Sequence, residues 1–197
     1  MSFYTIEELR ALKIKLKNNP QNILVSKKIS MHNPHLMELG NNIRIDDFTI
    51  LSGKISIGNF VHIASYVGLY ANNEKINIED FVSISSKVNI FSSSDDYSGE
   101  YLANPTIPNQ FKNITCNEIN IKKHSMIGAS SVILPTSFGL EEGVSVGAMS
   151  LVMRKTQPWS VYFGIPAKKI SNRSKNVINL EKELMQSMGG GEENLVP

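Results

Sequence analysis

A bulky aliphatic residue recurs at every sixth position of this chain, and few folds can use such a pattern. Ile45, Leu51, Ile57, Ile63 and Leu69 stand in one unbroken phase. After a slip of three residues come Ile78, Ile84 and Ile90. The phase resumes at Ile121, Ile127 and Ile133, slips by one, and ends at Leu140, Val146 and Val152. The fourth position after each is usually β-branched or small: Thr49, Ile55, Val61, Val67, Val82, Val88, Ser125, Ser131, Val144 and Ser150. A plain β-sandwich alternates with a period of two and would not hold one phase at every sixth residue. The pattern predicts an all-β solenoid whose bulky side chains fill a narrow axis while the smaller ones fit near tight corners. Gly58, Gly128 and Gly147 follow three of the bulky positions and read as turns eased by free backbone dihedrals. One hexad cannot bury its apolar face alone, so stacked neighbours must supply the core.

Composition excludes several other classes. The chain has 197 residues, 41% of them hydrophobic and 19% charged, which suits one globular domain. A net charge of +2 without a basic cluster argues against a nucleic-acid partner. No window approaches the roughly 18 apolar residues of a membrane span, and no signal-peptide core opens the chain. The single cysteine, Cys116, rules out a disulfide framework and a cysteine-ligated zinc site. Isoleucine outnumbers leucine and aromatics are few, which favours strands. These features predict a cytoplasmic enzyme or binding protein.

Residues 1–38 read as an N-terminal capping helix and lead-in. Thr5 is the N-cap, Glu8 closes a capping box, and Tyr4 with Leu9 forms a hydrophobic staple. This helix is expected to run to about Lys17 and stop before Asn18-Asn19-Pro20. Residues 39–158 form the solenoid, interrupted between Ser92 and Asn117 by a loop at 92–117. Residues 159–188 make a C-terminal segment with a helical stripe of Leu180, Leu184 and Met188. Residues 189–197 look like a linker or tag.

Three motifs resemble a known family: Ile127-Gly128-Ala129-Ser130-Ser131-Val132-Ile133-Leu134-Pro135, Val146-Gly147-Ala148-Met149-Ser150-Leu151-Val152, and Gly164-Ile165-Pro166-Ala167-Lys168. With the hexads, they are similar to the hexapeptide-repeat acyltransferases. More narrowly, they resemble bacterial enzymes that acetylate sugars of surface polysaccharides, relatives of the galactoside acetyltransferases. The resemblance implies a left-handed parallel β-helix with three hexads per coil, acetyl-CoA as co-substrate, no metal, and a homotrimer with active sites between subunits. It also implies a sugar or sugar-nucleotide acceptor, with association beside polysaccharide-assembly enzymes at the inner membrane as a finer expectation.

Acetyl transfer from a thioester needs a base, donors for an oxyanion and a grip on the coenzyme. The family's usual base is a histidine in the loop after the hexad at Ile90. Here Asp95 stands at that place, and a carboxylate with a pKa near about 4 is a poor base for a hydroxyl. Three hexads per coil place His62, Ser83 and Met126 in one outward column. In the resembled trimers that column faces the neighbouring subunit's loop. His62 is therefore the expected base, with Asp95 or Asp96 orienting it, and His124 is the second candidate. Ser83, Tyr97 and Met126 are expected to touch the acceptor. Gly128, Ala129, Gly147 and Ala148 should line the pantetheine arm, while Arg154, Lys155 and Lys168 meet the nucleotide phosphates. Trp159 reads as packing at the solenoid end.

The leading acceptor is a hydroxyl of a surface-polysaccharide sugar or its precursor. The alternative is the amine of an amino-sugar nucleotide, since a neutral amine needs less help from a base. From another class, a zinc carbonic-anhydrase-like site would need three ligands, and the repeats offer only His62 and His124. An ice-binding face would need a flat threonine array that the sequence lacks.

Overall fold

The computed structural model describes residues 2–189. They form a parallel β-solenoid with three faces, consistent with the left-handed β-helix that the resemblance implies, flanked by two helices. On the first face Leu39, Ile57, Ile78, Ile121 and Leu140 lie in direct register. The second stacks Val25, Ile45, Ile63, Ile84, Ile127, Val146 and Tyr162 through seven levels. The third stacks Met31, Leu51, Leu69, Ile90, Ile133 and Val152. Apart from half-buried Met31, these side chains are buried in one continuous core. Each fully buried aliphatic contributes about 1.5–3 kcal/mol, so the axis carries the fold.

The fourth-position residues are buried as well. Where that residue is Ser or Thr, its hydroxyl reaches backbone. Thr49 donates to the Ala64 carbonyl at 3.1 Å, Ser125 to Glu141 at 3.1 Å and Ser131 to Gly147 at 2.9 Å. A buried hydroxyl costs little when it is paired in this way.

The glycines work differently from the expectation. Gly58, Gly128 and Gly147 do not take positive φ. Their requirement is space: a Cβ on Gly128 would stand 2.7 Å from the Gly147 carbonyl carbon, and one on Gly147 would strike the Phe163 ring. The left-handed residue comes two positions later, at Phe60 (φ 56°), Ser130 (φ 60°) and Met149 (φ 56°). Such backbone is costly for a side chain larger than glycine. It is held here by bonds between coils, such as Phe60 N–H to Asn41 and Phe81 N–H to Asn59. Stacking of Phe60 on Phe81, with centroids 4.7 Å apart, adds to the hold.

The first helix, α1 (Ile6–Ala11), starts at Thr5 with the expected capping box. It ends well before Lys17 because Lys13 turns to φ 62° and Ile14 N–H closes onto the Leu9 carbonyl. Lys15–Leu16 then pairs with Glu38–Leu39 as a strand. Parallel pairing therefore begins ahead of residue 39: Ile23–Val25 lies on Ile43–Ile45, and Ser30–His32 on Ile50–Ser52. This early coil does not keep the six-residue phase throughout, because a 3-10 turn at Pro34–Leu36 and the Asn18-Asn19-Pro20 stretch lengthen its corners.

At the other end, Ser160–Phe163 adds the last parallel level and Lys168–Asn172 folds back antiparallel on it. The second helix, α2 (Val177–Gly189), follows. Residues 190–197, most of the expected linker, lie outside the described residues. No helix among the described residues is long and apolar enough to cross a membrane.

Candidate active site

The long loop leaves the third face after Asn89–Phe91 and returns before Ile119–Ile121. Its root is a small antiparallel ladder, Ser93–Ser94 against Thr115–Cys116. Asp96 fastens the loop to itself. Its carboxylate accepts from the Ser98 N–H at 2.8 Å and the Ser98 hydroxyl, and from the Asn113 side chain at 3.3 Å across the two limbs. The Ser98 hydroxyl and N–H, with Asn113, outweigh partial burial and hold this carboxyl below its ordinary range. Asp95, its neighbour, makes no side-chain hydrogen bond or ion pair among the described residues. It lines a cleft of about 520 Å³ with Tyr97, which is 93% exposed.

His62, Ser83 and Met126 do form one column, with His62 paired to Ser83 and Met126 to Ser83 on adjacent strands. The column lies on the second face and shares no contact with Asp95 of the same chain. The partner of His62 within the chain is Asp46, whose Oδ2 stands 2.9 Å from Nε2. Arg44 Nε donates to the other oxygen of Asp46 at 2.8 Å. Burial raises the Asp46 pKa, but the Arg44 and His62 hydrogen bonds and charges together bring it below the usual value. The His62 side chain is 47% exposed and is oriented by a buried carboxylate. Sequence reasoning missed Asp46. Arg44-x-Asp46 one coil below His62 was the available signal, because in-register hexads stack such residues.

His124 sits elsewhere. Its side chain is buried beneath α2, with Nε2 2.9 Å from Glu181 Oε2 and its ring stacked on Phe81 at 5.4 Å. Lys123 Nζ reaches the other Glu181 oxygen at 2.6 Å. Arg173 donates to the His124 and Gly143 carbonyls at 2.6 and 3.1 Å. The cluster docks the C-terminal helix on the solenoid, which separates His124 from the loop and from His62. Trp159 packs in the same corner, 6.0 Å from His124, as the sequence suggested.

Gly128-Ala129 and Gly147-Ala148 lie on consecutive coils, joined by the Met149 N–H to Ala129 carbonyl bond. Beyond them, Phe163 and Ile165 are exposed and Lys168 stands opposite Phe163 in the final ladder. Lys155 is placed over the Phe138 ring at 4.7 Å, and Arg154 is exposed. This edge offers small residues for a narrow arm and cations near its end. Among the described residues no group of three or more His, Cys, Asp or Glu could hold a metal ion.

No protein-family model matches the sequence. A dTDP-4-amino-4,6-dideoxy-D-glucose acyltransferase from Escherichia coli is 38% identical over 94% of this chain and 97% of its own length. The chain thus belongs to the hexapeptide-repeat β-solenoid acyltransferases, and it is an acyltransferase. Within that class it is similar to AntD, an N-acyltransferase from Bacillus cereus solved with dTDP and 3-hydroxybutyryl-CoA. The identity is 44%, with 96% of this chain and 99% of that one covered and a TM-score of 0.92. A maltose O-acetyltransferase from Clostridium difficile 630, 18% identical with a TM-score of 0.53, shares the fold. The relatives favour the amine acceptor over the hydroxyl acceptor named first from sequence.

Proposed function

We propose that this protein transfers an acyl group from an acyl-CoA to the amino group of an amino-sugar nucleotide. The observation that carries the reading is Asp95, a carboxylate without a partner among the described residues, in the loop where the resembled enzymes place a histidine. A carboxylate cannot abstract a hydroxyl proton efficiently near neutral pH, but it can hold and orient an ammonium group. The solved relative supports this. It has been captured with dTDP-4-amino-4,6-dideoxyglucose and coenzyme A, and its variants alter a serine and an aspartate ten residues later. Ser85 with Asp95, and Ser86 with Asp96, reproduce that spacing here. Asp96 is already committed to its own loop, so the reading assigns the acceptor to Asp95.

The reaction joins the amine nitrogen to the thioester carbonyl carbon and breaks the carbon–sulfur bond. The ammonium that Asp95 holds first gives one proton to solvent, and the proton that the neutral amine loses on attack ends on the coenzyme A thiol. His62, its Nε2 held by Asp46, is the proton acceptor supplied by a second copy, and Ser83 and Met126 flank it. Tyr97 closes the acceptor side. Gly128, Ala129, Gly147 and Ala148 carry the pantetheine arm, with Arg154, Lys155 and Lys168 toward the phosphates. Acetyl is the smallest group this edge would serve, and the relative's 3-hydroxybutyryl-CoA supports a larger one.

A homotrimer fits the third face, whose outward column runs Ile50, Gly68, Asn89, Val132 and Leu151, mostly apolar and beside the stacked Tyr70–Phe91 pair. Such an apolar stripe on a solenoid favours burial against another copy. The compartment assigned is the cytoplasm, where acyl-CoA and sugar nucleotides are made.

Thiol release tests the reading. With acyl-CoA and an amino-sugar nucleotide, one thiol should appear per amide formed. Thiol release at the uncatalysed rate, by protein that binds coenzyme A in a calorimeter, would overturn it.

A further inference from the structure

We infer that Lys112 is the residue that selects a phosphate-bearing acceptor, binding the sugar diphosphate in the cleft that Asp95 also lines. The inference rests on the amino-sugar nucleotide reading above and adds to it the source of discrimination between free and nucleotide-linked sugars.

Asp95 and Lys112 line the same cleft. Lys112 is half-buried, and among the described residues its ammonium makes neither a hydrogen bond nor an ion pair. Elsewhere on this molecule lysines near carboxylates close onto them, as Lys122 does on Glu141 at 2.7 Å and Lys123 on Glu181 at 2.6 Å. Two opposite charges that share one cleft without pairing with each other present a bipolar site. The complementary ligand carries a cation at one end and an anion at the other. An amino sugar linked through its anomeric carbon to a diphosphate has that form, with the amine and the phosphate on opposite sides of one hexose ring.

The loop holds the two limbs that carry these charges in a fixed relation. Lys112 ends the 3-10 turn Asn109–Phe111, its N–H bonded to the Asn109 carbonyl at 3.1 Å. Leu102 N–H to the Phe111 carbonyl, at 2.9 Å, ties this turn to the outgoing limb. The Asn113–Asp96 bond, one residue beyond Lys112 and one beyond Asp95, fixes the limbs relative to each other. Asn72 and Asn73, from the three-residue corner insertion one coil below, form the adjoining wall with amides suited to hydroxyl groups. A lysine serves here as a point charge for phosphate.

The test measures kcat/KM of the wild type, Lys112→Met and Lys112→Arg with a nucleotide-linked amino sugar and with the same amino sugar unphosphorylated. The wild type should prefer the nucleotide form. Lys112→Met should raise its KM about ten- to hundredfold, as expected for loss of one charged hydrogen bond, and shrink the preference between acceptors by the same factor. Lys112→Arg should restore much of it, and the dependence of KM on salt should weaken in Lys112→Met alone. A preference left intact in a folded Lys112→Met enzyme that still acylates amino-sugar nucleotides would overturn the inference and leave the function standing. Failure of the wild type on every amino-sugar nucleotide would remove the function, and the inference with it.

Discussion

Replacing Gly128 by alanine probes how closely the coils are stacked. The added Cβ would meet backbone only: the Gly147 carbonyl carbon at 2.7 Å, the Ala148 Cα at 2.8 Å, and the Ala148 nitrogen nearer still. These atoms belong to the next coil, which is locked by the Gly128 N–H to Val146 carbonyl bond at 2.8 Å. No side chain can rotate away, so the coils must part by several tenths of an ångström. Overpacking of this kind costs about 1–3 kcal/mol. Gly128 lacks a positive φ, so alanine also gains about 0.4–1 kcal/mol by restricting the unfolded chain. A net loss of about 1 kcal/mol would lower the melting temperature by about 2–4 °C for a domain of this size. Melting curves at one fixed protein concentration give the result, since assembly couples to stability. An equal or higher melting temperature would refute the packing argument.

Three further outcomes follow. Asp95→Asn should lower kcat/KM for the amine acceptor about a hundredfold with the melting temperature unchanged, while Asp96→Asn should loosen the loop and raise the acceptor KM; steady-state kinetics separate the two. His62→Ala should lose about 10²-fold in kcat, and near-normal turnover would remove His62 from the site. Glu181 is opposed by burial but is held below its usual pKa of 4.5 by Lys123 and His124 together. The folded state therefore binds fewer protons than the unfolded one, and the attachment of α2 is complete above about pH 4.5 and weakens as pH falls further. The single tryptophan, Trp159, should report this as an emission change with a midpoint below pH 4.5. Glu181→Gln should show the altered emission already at neutral pH.

The solenoid was legible because each hexad repeats one physical demand. Ile57, Ile78 and Ile121 could be placed on one face by counting, and the loop stood out as a break in the count. The first coil was not legible, since its lengthened corners leave Leu16, Val25, Met31 and Leu39 without a common period. The α1 terminus was missed because Lys13 takes a left-handed turn that its side chain does not advertise. Of the candidate site, counting gave the His62–Ser83–Met126 column, and the family resemblance pointed to the loop carboxylates. It could not distinguish Asp95 from Asp96, because that depends on Ser98 and on Asn113 from the far limb. Nor could it foresee that Glu181, 57 residues away in sequence, would bury His124 under a helix.

The product linkage tests the central claim most directly. The protein would be given acyl-CoA and an equimolar mixture of two sugar nucleotides that differ only in bearing an amine or a hydroxyl at the reacting carbon. The account predicts that mass spectrometry finds the acyl group on the amine, in an amide that withstands alkaline hydroxylamine. An acylated hydroxyl sugar, cleaved by that treatment, would contradict it.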